Sequence, residues 1–422
     1  MKEPTVAIAF PFLLTNDGDY SLLKAIMSVL SERFPKMKFV ILLWRSPGKL
    51  YVERVDFIAF NVPAPKIPGG SLDMVMWFSQ ALLYRLLGVK PSSTFLRAIA
   101  DSDVALAPSR DMLVMNGLGG LTSFLYSLFW VMLPKVLGKP TILLSADFMP
   151  GKGFKRKLLA PLLRSLMSSL ELLIVRNEKS RQNLLEMGIP PHKVMVVTDS
   201  SFLLRPIGRE EAIKILNAEG VPVHHKPLIG LSIHPLLHKA RRRSLSTSWR
   251  EVAAILAEAL DRLIEELNAI VVFVPRVSIF GESDRTLAKE VKSLMRHKER
   301  YILLSRKYRP EQIRAIIGVF DLLIALPFHA LVHAVSMGVP AVAVDYGGKT
   351  LELMRSLDLE GLVIPAQELT PEAIVQRAIF VWSARDRIRA KLLEAKERLR
   401  KEAMKGLEAF SEFLGLSMSK TA

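Results

Sequence analysis

The sequence predicts an α/β fold built as two Rossmann-like halves, and three observations carry that reading. Short apolar runs of strand length alternate with longer amphipathic stretches from residue 6 onward. The alternation pauses over residues 205–227, where Pro206, Gly208, Gly220 and Pro222 gather, and it restarts at 228. The chain has 422 residues, half of them apolar, which is enough for two large cores. The expected division is an N-terminal Rossmann-like half over 1–205, a linker over 206–227, a C-terminal half over 228–370 and terminal helices over 371–422.

In the first half, residues 6–12 read as a buried strand, and Asn16-Asp17-Gly18-Asp19 turns the chain into a helix carrying Leu22, Leu23, Ile26, Val29 and Leu30 on one face. Asn16 and Asp19 are open to two readings, a ligand site at a strand's carboxyl end or simple helix capping. Residues 39–43 form the second strand, 52–68 a proline-rich loop and 72–87 a helix. Residues 103–107 make another strand, followed by the turn Pro108-Ser109-Arg110-Asp111, whose Arg110 and Asp111 project side chains at a strand end or form a solvated turn. A helix ends at Gly138-Lys139-Pro140, and 141–145 is a strand. The basic stretch 151–157 lacks P-loop glycine spacing and reads as a flexible rim. Strands at 172–175 and 194–198 frame Arg176-Asn177-Glu178-Lys179-Ser180 and Asp199-Ser200-Ser201-Phe202, read as an ion pair within the half and a capped strand end.

The second half opens with a strand at 228–233 that ends at His234, beside the basic loop around Arg241-Arg242-Arg243. Ser248 caps a helix over 249–267; the strand at 270–274 then ends in Pro275-Arg276. After a helix at 288–295, a strand at 301–304 and a helix opened by Pro310, residues 320–349 form the organising unit. It reads as a strand at 321–326, Pro327, a helix over 328–337 stopped by Gly338, and a strand at 339–344. His329 therefore stands at a helix start on the carboxyl rim of a sheet, where anions bind. His333, one turn on, shares its face and reads as a supporting partner or as packing.

The 58 Lys and Arg exceed the 41 Asp and Glu, for a net charge of +17, which favours anionic partners: phosphorylated metabolites, lipid diphosphates or an anionic membrane. Nucleic acid is disfavoured, since zinc-finger spacing and RNA-binding aromatic motifs are missing. The chain has no cysteine, and hence no disulfide, thiolate ligand or thiol nucleophile. The first apolar run is too short for a signal peptide, so the expected location is cytoplasmic, with peripheral contact at the inner face of a membrane as one use of the charge. The apolar window 112–133 fits a buried helix better than a span.

Pro327-Phe328-His329-Ala330, Gly338-Val339-Pro340 and Asp345-Tyr346-Gly347-Gly348-Lys349 together resemble the C-terminal signature of the polysaccharide pyruvyl transferase family. The Asn16–Asp19 turn, Arg176-x-Glu178-x-Ser180 and Asp199-x-x-Phe202 are similar to further segments of that family. Pro327 stands where the family has Arg, Thr15 replaces a glycine, and Pro108-Ser109-Arg110-Asp111 replaces a glycine-rich turn. The resemblance implies a GT-B-like pair of domains facing a cleft, the first on the acceptor side and the second on the donor side, with the last helix crossing back to the N-terminal domain. It implies transfer of a pyruvyl group from phosphoenolpyruvate to two hydroxyls of a cell-surface glycan or its lipid-linked precursor, with no cofactor and no metal. On that reading His329 is the catalytic acid; His234, Arg276 and Lys349 bind the donor; and Asn16, Asp19, Arg110 and Asp111 bind the acceptor. Two alternatives remain. A nucleotide-sugar glycosyltransferase of the same architecture is one, although Ala325 and His333 stand where its paired glutamates would be. A noncatalytic scaffold is the other.

Overall fold

A computed structural model describes residues 3–44, 52, 55–62, 71–108, 113, 120–151, 153–234, 249–276, 278–279 and 282–419. The chain divides into two compact units, one of Met1–Leu14, Leu22–Leu203 and Arg400–Ala422, the other of Thr15–Ser21 and Leu204–Leu399.

The first unit runs β1 (Thr5–Phe12), α1 (Asp17–Arg33), β2 (Lys38–Trp44), β3 (Asp56–Val62), α2 (Ser71–Leu87), α3 (Thr94–Asp101), β4 (Val104–Pro108), α4 (Gly120–Val136), β5 (Thr141–Ala146), α5 (Gly153–Ser169), β6 (Leu172–Val175), α6 (Glu178–Glu186) and β7 (Val194–Val196). The first turn of α1 belongs to the second unit. All neighbouring strands are parallel, in the order β3-β2-β1-β4-β5-β6-β7. Central strands such as β1 are covered on both faces, which is why they read as unbroken apolar runs and not as an alternation. Two readings need correction. Residues 56–62, expected as loop, form β3, an edge strand with a largely exposed face; its apolar run Phe57–Phe60 reads as loop because Pro63, Pro65 and Pro68 follow it directly. The rim expected at 151–157 is mostly the start of α5, whose apolar spacing over Leu159, Leu163, Leu166 and Met167 outweighs the local glycines.

The second unit runs α7 (Arg209–Ala218), β8 (Leu228–Ser232), α8 (Trp249–Leu267), β9 (Ile270–Phe273), β10 (Ser278–Ile279), β11 (Glu282–Ser283), α9 (Asp284–Leu294), β12 (Tyr301–Leu303), α10 (Pro310–Ile317), β13 (Leu322–Ala325), α11 (Phe328–Met337), β14 (Ala341–Asp345), α12 (Lys349–Arg355), β15 (Val363–Pro365), α13 (Pro371–Ser383) and α14 (Arg385–Ser419). The stretch 206–227 thus carries α7 and lies inside this unit. Six parallel strands take the order β12-β9-β8-β13-β14-β15. Gly338 stops α11 in the left-handed region at φ 66°, and Leu393 of α14 packs so close that an added Cβ would meet it at 2.6 Å. The end of α14 packs with the first unit, where Gly406 lies against Leu144, Ile174 and Val197. Among the described residues no helix is long and apolar enough to cross a membrane.

Candidate functional site

The strand order of the second unit reverses between β8 and β13, which makes the crevice beyond their carboxyl ends its switch point. Ser232 ends β8, and its carbonyl accepts from Leu326 N at 2.9 Å, holding the two strand ends together. Pro327 then caps α11, and His329 is the second residue of that helix, half-buried.

Into this edge fits the turn Thr15–Ser21. Asn16 accepts from Gly18 N at 3.1 Å and so caps α1, while Asp17 N donates to the Arg276 carbonyl at 3.1 Å. The Gly18 backbone lies against the His329 ring: an added Cβ would meet Cε1 and Cγ at 2.7 Å and overlap Nδ1. Only glycine permits that approach.

Beneath the turn lies a buried chain of four side chains. Arg314 Nε donates to His333 Nδ1 at 2.9 Å, and Arg314 Nη1 donates to the Leu204 carbonyl at 2.6 Å. A guanidinium only donates, so His333 Nδ1 is the bare nitrogen and Nε2 carries the proton, which it donates to Asp17 Oδ2 at 2.9 Å. Arg276 closes the chain, its Nε 3.0 Å from Asp17 Oδ2 and its Nη2 paired with the same oxygen. Arg276 is also held by its backbone, whose N–H donates to Asp284 at 2.6 Å. Burial works to raise the Asp17 carboxyl, but Arg276 and His333 outweigh it and hold the group well below the usual carboxylate range. His333, fully buried, is pushed down to about 3 by burial against the pull of Asp17, with Arg314 adding to the fall. The imidazole is therefore neutral at physiological pH, with its tautomer fixed.

Two buried polar atoms of this edge have no hydrogen-bond partner among the described residues, Arg276 Nη1 and Ser232 Oγ. Adjacent positions close round them. His234 meets Tyr346 with ring centroids 6.0 Å apart, and the Tyr346 hydroxyl is pushed up to about 12 by burial and by Asp345, against a lowering by Arg276. Lys349 stands 4.8 Å over the Phe328 ring, which meets His329 at 5.5 Å.

The structure thus gathers His234, Arg276, His329 and Lys349 at one edge of one sheet, along with Asn16. Asp19 is buried in the same turn at 1% exposure. Arg110 and Asp111 lie outside the described residues, as do Ser248 and residues 241–243. Asp17 and Gly18 read in the sequence only as members of the turn before α1, and Arg314 and Ser232 are not singled out by it. Asp17 passes for a helix-capping acid, and its partner Arg276 is 259 residues away; only the spacing of His333 from His329 hinted at a second layer. Arg176, by contrast, pairs with Asp147 and, at 2.9 Å, with Asp199, while Asn177 caps α6 through Ser180 N at 2.7 Å, as the structural reading of those segments expects. No cluster of three His, Asp or Glu suited to a metal ion occurs among the described residues.

Comparison with solved structures shows a shared fold. The putative UDP-N-acetylglucosamine 2-epimerase of Listeria monocytogenes superposes with a TM-score of 0.62 at 11% identity, covering 98% of this chain and 97% of its own. Anabaena HepE in complex with UDP and glucose gives 0.56 at 14% identity, covering 98% of this chain and all of its own. The two parallel sheets and these full-length likenesses show the GT-B-like fold read from the sequence. By sequence, the chain is 22% identical over 237 residues to the amylovoran biosynthesis protein AmsJ of Erwinia amylovora, a match covering 54% of this chain and 55% of AmsJ. The chain therefore spans about half the length of that curated relative. The family model for polysaccharide pyruvyl transferase matches residues 16–348, from the capping Asn16 to the glycine pair before Lys349, and so takes in the edge described above apart from Lys349. The chain belongs to the polysaccharide pyruvyl transferase family.

Proposed function

We propose that the second unit binds phosphoenolpyruvate at its switch point and that the protein moves the pyruvyl group onto two hydroxyls of a cell-surface glycan, or of its lipid-linked precursor, as a ketal. The observation that carries this reading is the pair of unpartnered buried atoms, Arg276 Nη1 and Ser232 Oγ, on the rim that holds His329. A buried donor without a partner costs free energy of order 1–3 kcal/mol, and a phosphate or carboxylate oxygen would remove that cost. Phosphoenolpyruvate brings both groups, and His234, Lys349 and the first N–H groups of α11 add positive potential around them.

The chemistry then has a consistent balance. A proton goes to the methylene carbon, which becomes the methyl group, and the first hydroxyl adds to the neighbouring carbon as it loses its own proton. The carbon–oxygen bond to phosphate breaks, the second hydroxyl adds, and its proton leaves with the phosphate. His329 supplies the first proton and takes up one of the hydroxyl protons. Asn16, Asp19, Arg110 and Asp111 are assigned to the acceptor.

Thermal melting of the full chain with phosphoenolpyruvate, and separately with UDP- and GDP-sugars, tests the donor. Ligand at 100 times its Kd should stabilise by about 2.7 kcal/mol. A shift with phosphoenolpyruvate alone supports pyruvyl transfer, and a shift with a nucleotide sugar alone defeats it. Phosphate release that depends on added glycan then tests turnover.

A further inference from the structure

α2 packs on the first unit by one narrow stripe. Trp77 and Ala81 are buried, and Trp77 meets Phe95, Phe129 and Trp130 at centroid distances of 5.1, 6.5 and 5.7 Å. Most of the rest of the helix is apolar and open. Leu72 is 83% exposed, Val75 61%, Phe78 44%, Leu82 42%, and Leu86 and Leu87 70% each. A surface helix ordinarily turns polar residues outward, yet this one carries only Asp73 and Arg85 as charges. The face continues onto α4. Leu121 and Leu125, both exposed, stand on the i, i+4 row that leads to Phe129 and so to Trp77. Arg85 reaches Gly138, where an added Cβ would meet its Nη1 at 2.7 Å, so the two helices run in the same direction and Leu125 falls beside the first turn of α2.

We propose that this face of the first unit docks the protein on an anionic lipid bilayer, with α2 lying in the headgroup region. Exposed apolar runs of this extent mark interaction surfaces. Their composition here selects lipid: the exposed apolar set is mostly Leu and Val, with Met76 and Phe78, and has no exposed Trp or Tyr, whereas Trp and Tyr anchors are enriched and Leu and Val under-represented at the hot spots of protein interfaces. Charge agrees, since Arg85, Lys90 and Arg97 follow at the carboxyl end in a chain of net charge +17. The long cationic side chains can reach lipid phosphates while the leucines enter the acyl boundary. No described helix is long and apolar enough to cross the bilayer, so the contact is interfacial. The inference uses none of the second unit's chemistry and stands whichever donor that unit takes.

Co-sedimentation of the full chain with phosphatidylcholine vesicles, with and without phosphatidylglycerol, tests it. Binding should appear on the anionic vesicles and be about tenfold weaker on the neutral ones and at high salt. Val75→Glu with Leu86→Glu should reduce binding at least about tenfold with the melting temperature unchanged, because both side chains are mostly exposed. Lys90→Glu with Arg97→Glu should abolish the preference for anionic lipid. Failure of the unaltered chain to sediment, or equal binding by the Val75/Leu86 variant, would overturn the proposal. So would a dimer in vesicle-free solution that the same variant splits into monomers, since a second copy would then cover the face.

Discussion

Each unit buries an arginine against carboxylates, and the two arrangements differ in what they leave open. Arg176 uses every nitrogen: Nε reaches Asp147 at 2.8 Å, Nη2 pairs with the same carboxylate, and Nη1 reaches Asp199 at 2.9 Å. Those acids are further bound by Asn177 Nδ2 at 2.7 Å and Ser201 N at 2.8 Å. It is a closed knot that ties β5, β6 and the segment after β7 together. Arg276 spends two nitrogens on a single oxygen of Asp17 and leaves Nη1 buried without a partner among the described residues. Its network also contains an imidazole, and through Gly18 it sits beside a second one. On the proposed function, that open nitrogen is where an oxygen of the donor binds.

The largest test of that contrast is catalytic. His329→Ala should reduce phosphate release from phosphoenolpyruvate by about a thousandfold, the usual worth of a positioned acid, while the melting temperature stays nearly constant because the residue is half-buried at the rim. Normal turnover would remove His329 from the mechanism. Next, Asp17→Ala should destabilise by about 3–5 kcal/mol in denaturant titrations, since it strands the buried Arg276 guanidinium, and Asp147→Ala should cost less, since Arg176 keeps its pair with Asp199. Only Asp17→Ala should also abolish stabilisation by phosphoenolpyruvate. Loss of that stabilisation in both variants would make the two knots equivalent.

The pH dependence separates them further. His333 is held at about 3, below its ordinary 6.5, so between those values the unfolded chain takes up a proton that the folded chain refuses, and stability falls as the pH drops. Asp17, held below the usual range, adds its loss only as the pH falls below its ordinary 3.8. From pH 7 to pH 4 the His333 contribution should cost about 3 kcal/mol. His333→Gln should be less stable at pH 7 but flatter over this interval; an equally steep profile would place the acid sensitivity elsewhere.

How far the sequence reached follows from the range of each interaction. The strand and helix alternation is local, so α8 and α11 fall where apolar spacing, Pro327 and Gly338 put them. The edge strand β3 escaped because the prolines after it marked the whole stretch as loop, and the start of α5 because its lysines and glycine hid an element that tertiary packing supports. That His234, Arg276, His329 and Lys349 share one edge was legible because each follows a strand of the C-terminal half, and parallel strands send such residues to one edge. The layer behind them was not legible. Asp17 and His333 are separated by 316 residues, and nothing in either neighbourhood announces the other.

The smallest expected effect makes the sharpest comparison, because it involves one methyl group in each unit. Gly406 lies on α14 with Ile174, Leu144 and Val197 placed so that an added Cβ would meet them at 3.3, 3.3 and 3.4 Å. Gly406→Ala should therefore be close to neutral, a slight crowding offset by the better helix propensity of alanine, about 1 kcal/mol. Gly18→Ala puts its methyl into the ring of His329, with Cε1 and Cγ at 2.7 Å, and the imidazole must rotate away. The strain should cost about 1–3 kcal/mol, and it falls on the residue assigned to proton transfer. Turnover should drop at least about tenfold with KM for phosphoenolpyruvate nearly unchanged, since Arg276 and Ser232 keep their places. If Gly18→Ala instead raises KM and spares kcat, the turn Thr15–Ser21 shapes the donor pocket, and the ring of His329 has no need of its present orientation.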